Sequence, residues 1–422
     1  MRRAVVVIDG EHYADVVRDA LAELPFEVVA VVLAGGTEKL RGGEDYGVPC
    51  AVSLESALAE QEPDVVFDLS DEPVLSPPAR LALASRALAL GVPYEGADFR
   101  FEPPVFEPFE LPSLAVIGTG KRVGKTALTG HIARTLSRDR SVVVVAMGRG
   151  GPAEPEVVAT PPTVDDLVAL SRRGRHAASD HLETAILCGV VTVGCRRAGG
   201  GLGGATATSN VVEGARLAAG LGPDLVVFDG SGAALPPVDA GRRVLVVSAR
   251  QAVHVSTGYL NPYRIRLADL VVLTMASSDS ETAVLRREIE LLVRPGVPIV
   301  ATTLRPRPLT AVAGRRIAYF GTAEHAQIAE TVHGWGAEVA HISGALADRA
   351  RLRDELARCD ADTYVVELKA AAIDVVAEAA LERGAEVVLA ANDIVLLPGE
   401  RDLDAEVRRL ADEAAAVVGA FA

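Results

Sequence analysis

Cysteine is scarce in this chain of 422 residues, with four in all at Cys50, Cys188, Cys195 and Cys359. They lie far apart and none forms a C-x-x-C pair, which suits reduced thiols better than a disulfide frame or a zinc site. Positive charge is also in deficit, 42 Lys and Arg against 57 Asp and Glu, for a formal charge of −15. A general nucleic-acid or anionic-membrane surface is therefore not expected, and an anionic ligand needs a dedicated pocket. Long apolar runs are missing too. The longest are short β-type runs such as Val142 to Met147, well below the roughly 18 residues of a membrane span. The opening MRRAVVVIDGEH has two arginines and an apolar run, but Asp9 interrupts it and no small-residue cleavage site follows. A signal peptide is not expected, and the cytoplasm is the expected location. What remains, 49% hydrophobic and 23% charged residues, describes a globular protein of two or three domains with real cores.

Apolar β-type runs alternate with helical patterns from the start, as in AVVVI, EVVAVVLAGG and DVVFDLS with helical stretches between them. Residues 1–100 are thus expected to form an N-terminal Rossmann-like α/β domain. FEPPVFEPFELP, residues 101–112, is rich in proline, which neither continues a helix nor sits in a central strand, so it is expected to be a linker. A second alternation, with strands at LAVIG, SVVVVAM, DLVVFD, RRVLVVS, DLVVLTM and PIVAT, fills residues 113–303. Its near-continuous Val and Leu runs predict a buried parallel sheet. The proline-rich LRPRPLT is expected to separate this from a C-terminal α/β lobe at 304–422, with strands near RIAYFG, EVAHI, TYVVEL and EVVLA.

The stretch VIGTGKRVGKTALTG carries the clearest chemistry. An apolar strand ends at Gly118, the chain turns through Thr119, Gly120, Lys121, Arg122 and Val123, and Gly124, Lys125, Thr126 and Ala127 open a helix. That arrangement aims backbone N–H groups and a helix N-terminus at one spot, a cradle for anionic oxygens. Lys125 is expected to bridge the β- and γ-phosphates of ATP, and Thr126 to hold Mg²⁺. Against G-x-x-x-x-G-K-[ST] the first glycine position is Thr119, with glycines on either side. This variant is similar to the loop of dethiobiotin synthetase and its relatives, a resemblance that implies a P-loop NTPase-type sheet. Lys121 is placed to neutralise a transferring phosphoryl group.

A metal partner is expected at the end of a neighbouring buried strand, where DLVVFDGSGAALPP supplies Asp229. Between these two elements, SRRGRHAASDHLETA and GCRRAGGGLGG concentrate Arg172, Arg173, Arg175, Arg196 and Arg197 in an otherwise acidic chain. Arginine's planar fork matches phosphate and carboxylate oxygens in pairs. With Arg149, these arginines are expected to hold a highly charged anion. The glycines after Arg197 let backbone approach the ligand closely. His176 and Asp180, four residues apart, are expected on one helix face of the same pocket. At the N-terminal domain's strand ends lie IDGEHY (Asp9, Glu11, His12) and DLSDEP (Asp68, Asp71, Glu72), where open α/β sheets bind ligands. A closing surface, a metal-mediated contact and a dimer contact all stay open for them, and Lys39 and Arg100 are added as anion contacts.

The motifs DGEHY, AGGTEK, DLSDEP, GADFRF, GTGKRVGKT, GRGGPAEPE, GRHAASD, GCRRAGGG, DGSGAALPP and VVELKAAAIDVV together resemble the cyclic 2,3-diphosphoglycerate synthetase family, from residue 8 to about 394. The resemblance implies an ATP- and Mg²⁺-dependent ligase that joins the two phosphates of 2,3-bisphosphoglycerate as a cyclic anhydride, releasing ADP and phosphate. Lys125, Lys121, Arg196 and Arg197 then become the catalytic cations; Arg149, Arg175, His176 and Asp180 complete the substrate pocket; Thr126 and Asp229 hold the metal. The family often carries glutamate before GSGA, where this chain has the shorter Asp229. Two rivals remain: a dethiobiotin-synthetase-type ligase or kinase acting on another anionic metabolite, and a P-loop switch ATPase that binds a partner protein. A monovalent-ion requirement such as K⁺ does not follow from the residues. The apolar pattern from Leu403 to Val418 offers a face for a homodimer.

Overall fold

The computed structural model describes residues 1–323 and 325–421. The first sheet comprises β1 (Arg3–Ile8), β2 (Glu27–Leu33), β3 (Cys50–Ala51), β4 (Val65–Asp68), β5 (Tyr94–Glu95) and β6 (Arg100–Phe101), in the order β3-β2-β1-β4-β5-β6. All pairs are parallel except β5 with β6, which is the doubly wound arrangement with its reversal between β1 and β4. The acidic motifs sit at that reversal and are satisfied by one another. Asp9 accepts from the backbone N–H of Glu11 and of Asp71, both at 3.1 Å. Asp68 accepts from Arg80 Nε at 2.7 Å and the Tyr94 hydroxyl at 2.8 Å. Lys39 pairs with Glu38, and Arg100 pairs with Glu95 and Glu102. Neither cation stands open as the expected anion contact.

The second sheet contains β7 (Ser113–Gly118), β8 (Val142–Gly148), β9 (Glu156–Val158), β10 (Thr192–Ala198), β11 (Thr208–Ser209), β12 (Leu225–Asp229), β13 (Arg242–Ser248), β14 (Leu270–Thr274), β15 (Ile299–Pro308), β16 (Arg316–Phe320), β17 (Glu338–Ser343), β18 (Thr363–Glu367) and β19 (Glu386–Leu396). Its order is β11-β10-β8-β12-β7-β13-β14-β15-β19-β18-β16-β17, with β9 on β10. From β10 to β15 every neighbouring pair is parallel. These strands are apolar on both faces because both are covered. Along β7, Leu114 and Val116 pack with the Lys125–Leu136 helix, whereas Ala115 and Ile117 face a core shared with the N-terminal domain.

Two expectations change here. LRPRPLT is not a break: β15 runs through it, pairing with β14 over Ile299 to Ala301 and antiparallel with β19 from Thr302 to Pro308. Pro306 and Pro308 are tolerated because that half of the strand is paired on one side only, so the missing N–H deprives no second neighbour. The sheet therefore continues unbroken into the C-terminal lobe. Likewise, the apolar face of the Leu403–Phe421 helix is not left for a second copy. Leu403, Val407, Leu410, Ala411 and Ala414 are buried in the core beneath β7 and β13. The 101–112 segment is strapped down as well, with Phe109 edge-on to Phe228 at a ring separation of 5.2 Å.

All four cysteines are unpaired. Among the described residues no helix is long and apolar enough to cross a membrane.

Candidate functional site

The site lies where β7, β12, β8 and β10 end side by side. After β7 the loop passes through Arg122 at φ 59° and Gly124 at φ 90° before the Lys125–Leu136 helix begins. Both residues are left-handed, the conformation that turns successive N–H groups inward. The tightness is set from two sides. A Cβ on Gly118 would lie 2.9 Å from Val123 Cγ2 and 3.0 Å from Lys125 Cδ, and one on Gly124 would press on Thr274 at 3.2 Å. Thr274, at the end of β14, also donates to the Val123 carbonyl at 2.5 Å. Lys125 is 9% exposed, and its Nζ donates to the Gly120 carbonyl at 3.2 Å across the loop.

Acidic groups face this lysine. Asp229 ends β12 and is buried. Asp180 opens the Asp180–Cys188 helix and presses against the end of β8, so that a Cβ on Gly148 would meet its Oδ2 at 2.8 Å. Burial pushes the Asp229 carboxyl up to about 7, with Lys125 opposing. Burial likewise raises Asp180, with Lys125, His176, Arg197 and Lys121 opposing. Lys125 is itself lowered by burial, against the pull of Asp229 and Asp180.

Arg196 and Arg197 take different surroundings, because successive side chains of β10 point to opposite faces. Arg197 is 8% exposed and donates to the carbonyls of Gly199 and, at 2.9 Å, Ser231. It thereby ties the glycine-rich loop after β10 to the DGSG loop after β12. A Cβ on Gly232 would lie 3.4 Å from Arg197 Nη2 and 3.5 Å from Lys121 Cγ. Arg197 and the stem of Lys121 thus flank that glycine, and both cations bear on Asp180. Burial lowers Arg197, and the nearby Arg149 adds to the effect. Arg196 is exposed and donates through Nε to the Gly151 carbonyl at 2.7 Å. It lines a cavity of about 230 Å³ together with Gly150, Arg175, His176 and His181. His176 lies in the loop before the Asp180–Cys188 helix rather than on its face, and packs on Gly150, whose Cβ would fall 2.1 Å from its ring. Arg175 is exposed and paired with Glu156 at 3.3 Å. His181 donates to or accepts from Ser179 Oγ at 3.1 Å and is pushed down to about 4 by burial, so its ring is neutral near pH 7.

Three charged side chains beside these elements were not singled out in the sequence. Glu183 lies three residues beyond Asp180, and burial raises it to about 7. Lys369 comes from the C-terminal lobe and stands 3.7 Å from Glu183 Oε1. Its only signal was its place in VVELKAAAIDVV. Arg264, 2% exposed, donates to the Ala233 and Leu202 carbonyls, both at 2.9 Å. It forms a second clamp between the two loops that Arg197 joins, and nothing in its local sequence marked it.

A nucleotide and its cation fit this donor set. Thr119 Oγ1 is buried without a hydrogen-bond partner among the described residues, an expense that a ligand would offset, and the buried Asp229 carboxylate stands by Thr129. Among the described residues no group of three or more His, Cys, Asp or Glu could hold a metal alone.

Family comparisons cover nearly the whole chain. Residues 3–102 match the N-terminal domain of cyclic 2,3-diphosphoglycerate synthetase, residues 113–302 its P-loop domain and residues 308–393 its C-terminal domain. A cyclic 2,3-diphosphoglycerate synthetase of Rubrobacter xylanophilus is 45% identical, covering 97% of both chains. Those of Pyrococcus abyssi, at 42%, and Thermococcus kodakarensis, at 43%, cover 97% and 96% of this chain and 98% of theirs. Among solved structures, LpxK from Aquifex aeolicus in complex with ATP aligns over 73% of this chain and 91% of its own, at 15% identity and a TM-score of 0.44. That likeness is too loose to bear on function. Identity above 40% along the full length, across all three domains, means that this chain belongs to the cyclic 2,3-diphosphoglycerate synthetase family.

Proposed function

We propose that the chain closes 2,3-bisphosphoglycerate into cyclic 2,3-diphosphoglycerate at the expense of ATP, releasing ADP and phosphate. The observation that carries this reading is the gathering of Lys125 and Lys121 from the phosphate loop and Arg197 from β10 about the carboxylate of Asp180, beside the buried Asp229. Cations brought from separate segments are what two polyanions need in order to lie together.

One substrate phosphate attacks the γ-phosphorus, the bond to ADP breaks, and a mixed anhydride results. The second substrate phosphate then attacks the phosphorus of the first, forming the ring anhydride as inorganic phosphate leaves. No general base is needed, since a phosphate oxygen is nucleophilic at neutral pH. Both phosphates belong to one molecule, so closure is already intramolecular, and the cavity's part is to hold them in the arrangement for attack. Lys125 and the backbone of residues 118–127 hold the nucleotide, Lys121 neutralises the travelling group, and Arg197 holds the two loops together around it. Arg196, Arg149, Arg175 and His176 surround the acceptor. Thr126 and Asp229 would hold Mg²⁺, which would supply positive charge to screen the nucleotide oxygens. Four unpaired thiols support a reducing, cytoplasmic setting.

A dethiobiotin-synthetase-type ligase on another anion, or a P-loop switch, accounts less well for an end-to-end match to relatives named for one synthetase. Purified protein mixed with Mg-ATP and 2,3-bisphosphoglycerate should show the phosphorus resonances of a cyclic anhydride. ADP released without them would sink the cyclisation reading.

A further inference from the structure

The C-terminal lobe brings Lys369 up to the Asp180–Cys188 helix, with Glu367 beside it. Lys369 follows β18, on a turn set by its neighbours: its backbone N–H donates to the Glu367 carbonyl at 2.7 Å, and Ala370 is left-handed at φ 46°. Leu368, Ala371 and Ala372 on either side are buried in the lobe's core. Glu367 is fixed by Tyr319 at 2.8 Å, Asn392 at 2.9 Å and Thr322 at 3.1 Å. The turn is therefore anchored at both ends, and such pre-positioning is typical of groups that meet a ligand rather than of surface lysines.

The ion pair it makes is lopsided. Glu183 is nearly closed off, with 8% of its side chain exposed, whereas Lys369 keeps 35% open. At 3.7 Å the contact is longer than a hydrogen bond, and the ammonium's charge is divided between Glu183 and its own neighbour Glu367. Its charge also bears on Asp180, the carboxylate that Lys125, Lys121 and Arg197 approach from the phosphate loop and β10. Asp180 and Glu183, one turn apart on one helix, thus stand between the nucleotide-side lysine and the lysine of the C-terminal lobe. A triphosphate occupies the first of these; the second is left for the acceptor, which arrives as another polyanion.

We propose that Lys369 is an acceptor-binding catalytic residue, its ammonium leaving Glu183 to hold an anionic oxygen of the phosphorylated substrate. Glu183 is then the resting counter-ion that keeps a part-buried lysine charged and in place while the site is empty. The C-terminal lobe becomes part of the active site through it. This rests on 2,3-bisphosphoglycerate being the acceptor.

The test is calorimetric titration of the intact protein with 2,3-bisphosphoglycerate, alongside ATP affinity and steady-state kinetics. Lys369→Met should weaken acceptor binding by about tenfold or more, the loss of one charge-assisted hydrogen bond, with ATP affinity within about twofold. Lys369→Arg should recover part of the loss. Glu183→Gln discriminates the roles: a merely structural pair would be damaged alike from either side, whereas an acceptor-binding lysine freed from its competitor should bind the acceptor as well as before or better. Acceptor binding unchanged in Lys369→Met, or weakened equally in both variants, would overturn the proposal. Wild-type protein that fails to bind 2,3-bisphosphoglycerate at all would instead remove the substrate assignment beneath it.

Discussion

Arg197 donates to the Ser231 carbonyl at 2.9 Å and so links the end of β10 to the loop that follows Asp229. Its neighbour Arg196 turns the other way and reaches Gly151. A tandem pair in the sequence therefore takes two places, one joining the loops beside Asp229 and one on the wall of the adjoining cavity.

Arg197→Ala should lower kcat by about 10²- to 10³-fold, as expected when a fixed charge beside a transferring group is lost. Arg196→Ala should act mainly on KM for the acceptor, raising it by about tenfold. Steady-state kinetics with each substrate varied in turn distinguish them. Equal effects of the two substitutions would refute the division of labour.

Lys125→Ala should leave no measurable turnover, since it removes the buried cation facing Asp229 and Asp180. Asp229→Asn should keep some activity at saturating Mg²⁺ but need about tenfold more of it for half-activation. Titrating activity against free Mg²⁺ checks this, and an unshifted midpoint would move the metal away from Asp229.

Stability should carry the mark of the buried acids. Burial raises both Asp229 and Glu183 to about 7, against roughly 4 in an unfolded chain. Between these values the fold holds protons that the unfolded chain releases, so each acid costs stability as pH rises from about 4 to 7, and the full cost remains above that. In ligand-free protein, Asp229→Asn should therefore gain stability relative to wild type as pH rises from 5 to 8, by up to about 3 kcal/mol. Urea unfolding across that range reads it. Saturating Mg-ATP should shrink the gain by stabilising the ionised carboxylate. A pH-independent difference between the two proteins would contradict the burial-driven shift.

The last helix should be indispensable to the central sheet. Leu410 is fully buried beneath it, and Leu410→Ala should cost about 3 kcal/mol, visible as a lower urea midpoint. Removing the helix from Leu403 onward should leave the chain insoluble or unfolded. A truncated protein that kept its full stability would show that the helix only rests on the sheet.

Much of this protein is written locally. The valine runs specify buried parallel strands because each residue of β7, β8 or β12 must be apolar on whichever face it points to. GTGKRVGKT specifies its cradle because the left-handed turn, the lysine and the helix start are all contained in about ten contiguous residues. Asp229 was legible for the same reason, standing at the end of an apolar run. What the tertiary structure alone decided are relationships between segments far apart in sequence. The alternation of β10 sends Arg196 and Arg197 to opposite faces only once its neighbours define those faces. Prolines 306 and 308 read as a break because their sequence cannot reveal that β15 leaves one edge unpaired. Arg264 and Lys369 reach the site from 30 to 240 residues away through the packing of other elements. Local propensity and short motifs record which backbone a segment prefers, but a clamp on two distant carbonyls or a charge delivered by another lobe exists only after the chain has folded.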